Sequence, residues 1–117
     1  MAHRIERVNN LIRRELSELI QRELRDPRLD SFVAVTEVKT SADLRHAKIY
    51  VSCISGKQEE KKTLEVLDSA SGFLRTELAK KLRLRRTPEL SFQWDDSIEH
   101  GDMILRLIDD VTHGNST

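Results

Sequence analysis

The stretch LDSASGFLRTELAKKLRLRR, residues 67–86, combines a helical apolar pattern with a cluster of small residues. Apolar positions recur at helical spacing on one face and stay in phase on both sides of Gly72. The pattern therefore predicts one interrupted helix rather than two unrelated helices. The residues of this face are Leu64, Leu67, Ser71, Leu74, Leu78 and Leu82.

Gly72 allows three interpretations. A glycine inside a helix costs about 1 kcal/mol relative to alanine, which suggests a specific use at this position. One use is a sharp bend, favoured by the neighbouring Ser69 and Ser71. A second is the close approach of another backbone, and the third interpretation is a tolerated glycine without a role. We predict that Gly72 bends the helix.

Helices and strands are predicted on both sides of this bend. Apolar residues from Ile5 onward define a helix of roughly 20 residues, which ends before Pro27 because proline disfavours a helical conformation at the preceding residue. Residues 32–40 and 44–54 predict an antiparallel hairpin. Its second strand should bury Ala47, Ile49, Val51 and Cys53 and expose His46, Lys48, Tyr50 and Ser52. A third strand follows Pro88, with Leu90, Phe92 and Trp94 alternating, and a short helical run follows with Ile104, Leu107, Ile108 and Val111 on one side.

This order predicts an α+β fold of the form α-β-β-α-(kink)-α-β, with a three-stranded sheet packed on helices and a short C-terminal helix. We expect one domain over residues 1–111 and a disordered tail over 112–117. The 117 residues are 38% hydrophobic and 34% charged, which fits a small domain with a modest core. No apolar run is long enough to cross a membrane, and the single Cys53 excludes an internal disulfide, so we expect a cytoplasmic protein without a membrane partner.

The formal net charge of zero conceals a strong asymmetry. Residues 75–88 carry six basic side chains against Glu77 alone, whereas residues 89–117 carry seven acids against Arg106 alone. Such a distribution is typical of a protein with one side facing a polyanion. The alternative is that the cations are solvated and stabilise the end of a helix through its dipole. The six basic residues are Arg75, Lys80, Lys81, Arg83, Arg85 and Arg86.

Four segments of the sequence stand out together: RVNNLIRRELSELIQRELRDPRL, VTEVKTSADLRHAKIYVS, TPELSFQWDDSIEHGDMILRLI, and ASG at residues 70–72. They resemble the bacterial ribosome-binding factor A family, and ASG is similar to the family's kink. The resemblance covers about residues 4–108. It implies a type II KH-like domain in which the kink stands where other KH domains carry a GxxG loop.

The resemblance also implies a function. The family is a non-enzymatic assembly factor of the small (30S) ribosomal subunit, which contacts 16S rRNA near its 5′-terminal helix late in maturation and is linked to growth in the cold. It implies RNA binding at Ala70, Ser71 and Gly72, no cofactor, no metal, no small-molecule substrate and a monomeric protein. From the charge pattern we add the six basic residues named above, and as secondary RNA contacts the polar strand residues His46, Lys48 and Tyr50.

Two other functions fit parts of the sequence. A generic DNA- or RNA-binding module would use the same basic helix, although no DNA recognition-helix pattern is present. A metal-dependent hydrolase would use an acidic cluster, for which a helix-capping box formed by Asp96 or Ser97 with Glu99 is the simpler explanation. The cluster comprises Asp95, Asp96, Glu99, His100 and Asp102.

Overall fold

Three helices and three strands follow one another in the predicted order. The computed structural model describes residues 2–24, 32–83 and 86–96. The elements are α1 (Ala2–Arg22), β1 (Val33–Thr40), β2 (His46–Cys53), a 3-10 turn (Lys57–Glu59), α2 (Glu60–Ser69), α3 (Ser71–Leu82) and β3 (Glu89–Trp94). The predicted exit at Pro27, the C-terminal helix, the domain boundary at residue 111 and the tail lie outside the described residues.

The three strands form a mixed sheet of order β1-β2-β3. β1 and β2 are antiparallel, as a short connection allows, with Val38 opposite Ile49. β3 runs parallel to β2, with Phe92 beside Ile49, because α2 and α3 intervene and return the chain to the other end of the sheet. The α+β fold predicted from the sequence is confirmed.

The turn between β1 and β2 fixes the start of the second strand. Asp43 Oδ1 accepts hydrogen bonds from the Ser41 hydroxyl at 2.7 Å and from the Arg45 amide at 3.1 Å. These bonds, the Ser41 bond first, lower the pKa of Asp43 below its ordinary value. Leu44 has a φ of 59°, a left-handed conformation incompatible with a strand. The alternation predicts that β2 begins at Leu44, but in the structure it begins at His46.

Helices cover one face of the sheet, and the core lies between them. α1 packs against β1 and α3, and α2 packs against β3. The core joins three groups of buried residues: Ile12, Leu16, Leu19 and Ile20 from α1; Val33, Val35, Val38, Ala47, Ile49, Val51, Cys53 and Phe92 from the sheet; and Leu67, Leu74, Leu78 and Leu82 from α2 and α3. The inward face predicted for β2 is confirmed.

The other face of the sheet is polar and exposed except near Ser52. The sequence predicts Ser52 as solvent-facing, but only 3% of it is exposed, so this prediction is wrong. A connection crosses β2 beside Ser52, at the preceding residue Val51. Thr36, at the β1 bulge, donates its hydroxyl to the carboxylate of Asp95, which follows β3, and the Asp95 amide donates to the Val51 carbonyl at 2.8 Å.

α1 also protects the outer edge of β1. Asn9 Oδ1 accepts the Thr40 amide at 3.0 Å, and Gln21 Nε2 donates to the Val33 carbonyl at 2.8 Å. Both ends of this edge strand thus have side-chain partners, which hinders pairing with another chain. Among the described helices, none is long and apolar enough to span a membrane.

Candidate nucleic-acid interface

The helix is interrupted at Ala70. α2 ends at Ser69, Ala70 takes φ −92° and ψ 1°, and α3 starts at Ser71. The Ala70 amide is shared between the carbonyls of Val66 and Leu67, at 3.0 and 3.1 Å. Regular bonding resumes with the Leu74 amide, which donates to the Ala70 carbonyl at 2.9 Å. The predicted interruption exists, but its centre is Ala70, two residues before the predicted Gly72.

Gly72 lies in the first turn of α3 and is exposed. A Cβ atom built on it would meet nothing within 4 Å among the described residues, and its backbone does not adopt a left-handed conformation. Close approach of another described segment is therefore not its use. The first amides of α3, those of Ser71, Gly72 and Phe73, precede the first bond within the helix. A residue without a side chain leaves this turn accessible to a ligand.

The apolar face continues across the interruption. Val66 and Leu67 before the break are fully buried, as are Leu74 and Leu78 after it. Both helices thus present their apolar sides to the same core, and the small residues of the break remain at the surface. Ala70 is half-buried and packs against the core, Ser71 is half-buried, and Gly72 is exposed.

Phe73 is a candidate that the sequence interpretation missed. It follows Gly72 directly, and 45% of it is exposed although it is a large apolar residue. The signal was available, because Phe73 lies outside the helical stripe of Leu74, Leu78 and Leu82. An exposed aromatic ring beside accessible backbone amides is suited to stacking on an unpaired base.

Arg75 does not extend freely into solvent. Its Nε–H and Nη2–H both donate to the carbonyl of Thr87, at 3.2 and 2.8 Å. The side chain thereby joins α3 to the segment that leads into β3. Of the predicted phosphate ligands, Arg75 has a structural contact of its own.

The remaining basic residues differ in their partners. Lys80 Nζ lies 3.0 Å from Glu77 Oε2, an exposed pair that screens part of its charge. Lys81, Arg83 and Arg86 are exposed and have no ion-pair partner within residues 2–24, 32–83 and 86–96. Arg85 lies outside the described residues. These three cations define the α3 exit surface: Lys81, Arg83 and Arg86.

Arg83 ends α3 in an unusual conformation. Its φ of 52° and ψ of 32° are left-handed, and its amide donates to the Ala79 carbonyl at 3.2 Å. Glycine is the residue favoured at such a position, because a Cβ atom is disfavoured there. An arginine at this position sacrifices stability, as residues at functional sites often do.

The predicted secondary contacts lie apart from the helical break. His46, Lys48 and Tyr50 occupy the exposed face of the sheet, opposite the helices. His46 Nδ1 is 3.5 Å from Glu89 Oε2, and the Lys39 ammonium lies 5.5 Å from the centre of the Tyr50 ring. The face of the Tyr50 ring is therefore already in contact with a cation, which leaves it less suited to base stacking than Phe73.

The acidic cluster gives no support for a metal centre in the described part of the chain. Asp95 accepts the Thr36 hydroxyl, and Asp96 lies 3.9 Å from Lys57 Nζ. Glu99, His100 and Asp102 lie outside the described residues. Among the residues that the structure describes, no group of three or more potential metal ligands occurs.

Comparisons with known proteins agree with this architecture. The family model of ribosome-binding factor A matches residues 4–108. A ribosome-binding factor A from Dictyoglomus thermophilum is 50% identical over 111 residues, which cover 95% of this chain and 92% of the relative. A Thermotoga maritima protein of this type, solved by NMR, is 42% identical with a TM-score of 0.72, covering 86% of this chain and 94% of its own.

A second similar structure was fitted into a map of a complex. It is a Thermus thermophilus ribosome-binding factor A homology model fitted into a cryo-EM map of a 30S complex of that protein. It is 31% identical with a TM-score of 0.65, and the match covers 78% of this chain and 94% of that one.

Proposed function

The chain belongs to the ribosome-binding factor A family, and on that premise we propose that it binds the small (30S) ribosomal subunit as a non-catalytic assembly factor. In this proposal it acts in the cytoplasm as a monomer without a cofactor. It contacts 16S rRNA near the 5′-terminal helix during late maturation, and it supports growth in the cold. The Thermus thermophilus relative seen with a 30S subunit supports the choice of partner.

One observation carries the proposal: both ends of α3 carry groups that are suited to binding RNA. Its first turn combines the half-buried Ser71 and the exposed Gly72 with the exposed ring of Phe73. The first amides of a helix have no acceptor within that helix. Its last turn leads into the α3 exit surface, whose three cations have no described acidic partner. Amides at a helix N-terminus bind phosphate, and exposed arginines bind phosphate through two donors.

The length of α3 indicates how RNA would be contacted. Its 12 residues extend roughly 18 Å at 1.5 Å per residue, so one phosphate cannot reach both ends. We propose that a strand of several nucleotides runs along the helix, with a base on Phe73 and phosphates at the two ends. Recognition would then depend mainly on the backbone and shape of the RNA, as is usual for structured RNA.

Binding alone is sufficient for the proposed activity. A factor that binds one rRNA conformation more tightly than another shifts the population towards it, and the size of the shift is set by the difference in affinity. In this proposal the exposed sheet face with His46, Lys48 and Tyr50 adds only secondary contacts.

Co-sedimentation tests the choice of partner. The purified protein is mixed with separated small and large ribosomal subunits and centrifuged through sucrose gradients at a fixed salt concentration. We expect the protein to migrate with the small subunit, the particle in whose complex the Thermus thermophilus relative was fitted. Attraction between cations and RNA alone would not distinguish the two particles. Duplex DNA added at equal phosphate concentration is the competitor control. Migration with the large subunit, migration with neither particle, or full displacement by DNA would each contradict the proposal.

Replacing Arg83 by glycine should change stability and binding in opposite directions. We expect Arg83→Gly to raise the free energy of unfolding by roughly 0.5–1 kcal/mol, because glycine tolerates the left-handed conformation. The same variant should lose one phosphate contact, which makes the negative slope of log affinity against log salt shallower by about 0.7–0.9. Urea unfolding and filter binding to 16S rRNA measure the two effects.

Arg83→Lys is the matched control for this substitution. It retains the charge and the Cβ atom, so we expect the stability to stay unchanged and most of the binding to remain. If Arg83→Gly leaves the salt dependence unchanged, Arg83 is not a phosphate ligand.

A further inference from the structure

We propose that Arg75 is a positioning residue: it holds the segment that carries Arg86 so that Arg86 can contact RNA, and it is not itself a phosphate ligand. This inference rests on the proposed function, and it assigns a different role to a residue that charge patterning alone places among the RNA ligands.

The geometry of the contact supports this assignment. Arg75 lies in the second turn of α3, and two of its N–H groups converge on one oxygen, the carbonyl of Thr87, twelve residues further along the chain. A planar guanidinium can donate this pair of hydrogen bonds, whereas a lysine ammonium binds as a point charge. The contact therefore fixes both the distance and the orientation of the Thr87 peptide group relative to α3.

Neighbouring contacts make Thr87 the place where the connection is fastened. Pro88, which follows it, is fully buried. Glu89 then donates its amide to the Arg45 carbonyl at 2.8 Å and begins β3. On the α3 side, Arg83 closes the helix in its left-handed conformation. Arg86 stands directly before this fastened point and is exposed, so the Arg75 contact limits the positions that the Arg86 side chain can reach.

This arrangement predicts dependence of one arginine on the other. An independent phosphate ligand contributes its own part to the salt dependence of binding, whatever happens to its neighbours. A positioning residue contributes only through the ligand that it holds. Removing Arg75 should therefore abolish the contribution of Arg86, and removing both should change nothing further.

A double-mutant cycle with Arg75→Gln and Arg86→Gln tests the dependence, with purified 16S rRNA as the probe over a series of salt concentrations. We expect each single variant to make the negative slope of log affinity against log salt shallower by about 0.7–0.9. The double variant should change it by the same amount and no more. Arg83→Gln with Arg86→Gln is the matched control pair. Because Arg83 does not contact Thr87, the two reductions in this pair should add. Additive reductions in the Arg75–Arg86 pair would overturn the proposal.

Arg75→Lys separates charge from geometry. It retains the positive charge but not the planar fork, so we expect the same reduced slope as for Arg75→Gln. If Arg75→Lys binds with the slope of the unmodified protein, the charge at position 75 is what matters and the proposal is wrong.

A measurement without RNA distinguishes failure of this inference from failure of the proposed function. In the free protein, the first hydrogen-bonded amide after the contact is that of Glu89, which donates to the Arg45 carbonyl at 2.8 Å. We expect Arg75→Gln to accelerate hydrogen exchange at the Glu89 amide by about tenfold, with the amides in the middle of β2 unchanged. Unchanged exchange at Glu89 would contradict the positioning role even if rRNA binds. Accelerated exchange in a protein that does not bind 16S rRNA would retain the contact as a loop fastener and reject both the proposed function and the role in RNA binding.

Discussion

Truncation of Leu78 to alanine is expected to lower the free energy of unfolding by about 2–5 kcal/mol. Leu78 lies in the middle of α3, is fully buried, and belongs to the core that α1, α3 and the sheet share. Removing its side chain loses apolar burial and leaves a cavity that the neighbouring residues fill only in part. The total free energy of unfolding of a small domain is about 5–15 kcal/mol, so this loss is a large fraction of it.

The measurement is urea unfolding followed by circular dichroism, with Phe73→Ala as the matched control. Phe73 is also a large apolar residue of α3, but it is 45% exposed. We therefore expect Phe73→Ala to cost less than about 1 kcal/mol in stability while weakening the binding of 16S rRNA by removing a stacking surface. Equal destabilisation by the two variants would mean that α3 is not anchored through its leucine stripe.

The helices and strands could be predicted from the sequence because burial of one face imposes a period on the order of apolar residues. The leucines of α3 recur at helical spacing and the residues of β2 alternate. These two patterns predict the secondary-structure type of each element and the face that it buries. Boundaries were less accurate where a single backbone conformation decides them. The left-handed φ of Leu44 delays β2 to His46, and nothing about leucine indicates such a conformation.

Predictions for the site were limited by contacts between residues far apart in the chain. The charge pattern identified the basic segment, but it could not show that the Thr87 carbonyl occupies the fork of Arg75 or that Glu77 pairs with Lys80. Likewise, the contact of Lys39 with Tyr50 depends on strand register. The family resemblance located the break at residues 70–72, and only the backbone places its centre at Ala70.

The second large effect concerns the α3 exit surface. We expect the combined replacement of Lys81, Arg83 and Arg86 by alanine to weaken the binding of 16S rRNA by about 100-fold near physiological salt. The negative slope of log affinity against log salt should become shallower by about 2–3, since three phosphate contacts are lost at about 0.7–0.9 each. Filter binding at several salt concentrations measures both quantities.

The matched control removes three cations elsewhere, namely Arg22, Arg45 and Lys61. All three are exposed in α1, the β1–β2 turn and α2, so this variant has the same net charge as the first but retains the α3 exit surface. If binding depended only on overall charge, both variants would lose affinity equally, because long-range attraction follows the total charge. A local site predicts a small change in slope for the control and the full change for the α3 variant. Equal losses would mean that binding follows overall charge and not the α3 exit surface. An unchanged slope in the α3 variant would place the RNA contact elsewhere, with Arg4, Arg7 and Arg14 of α1 the next residues to replace.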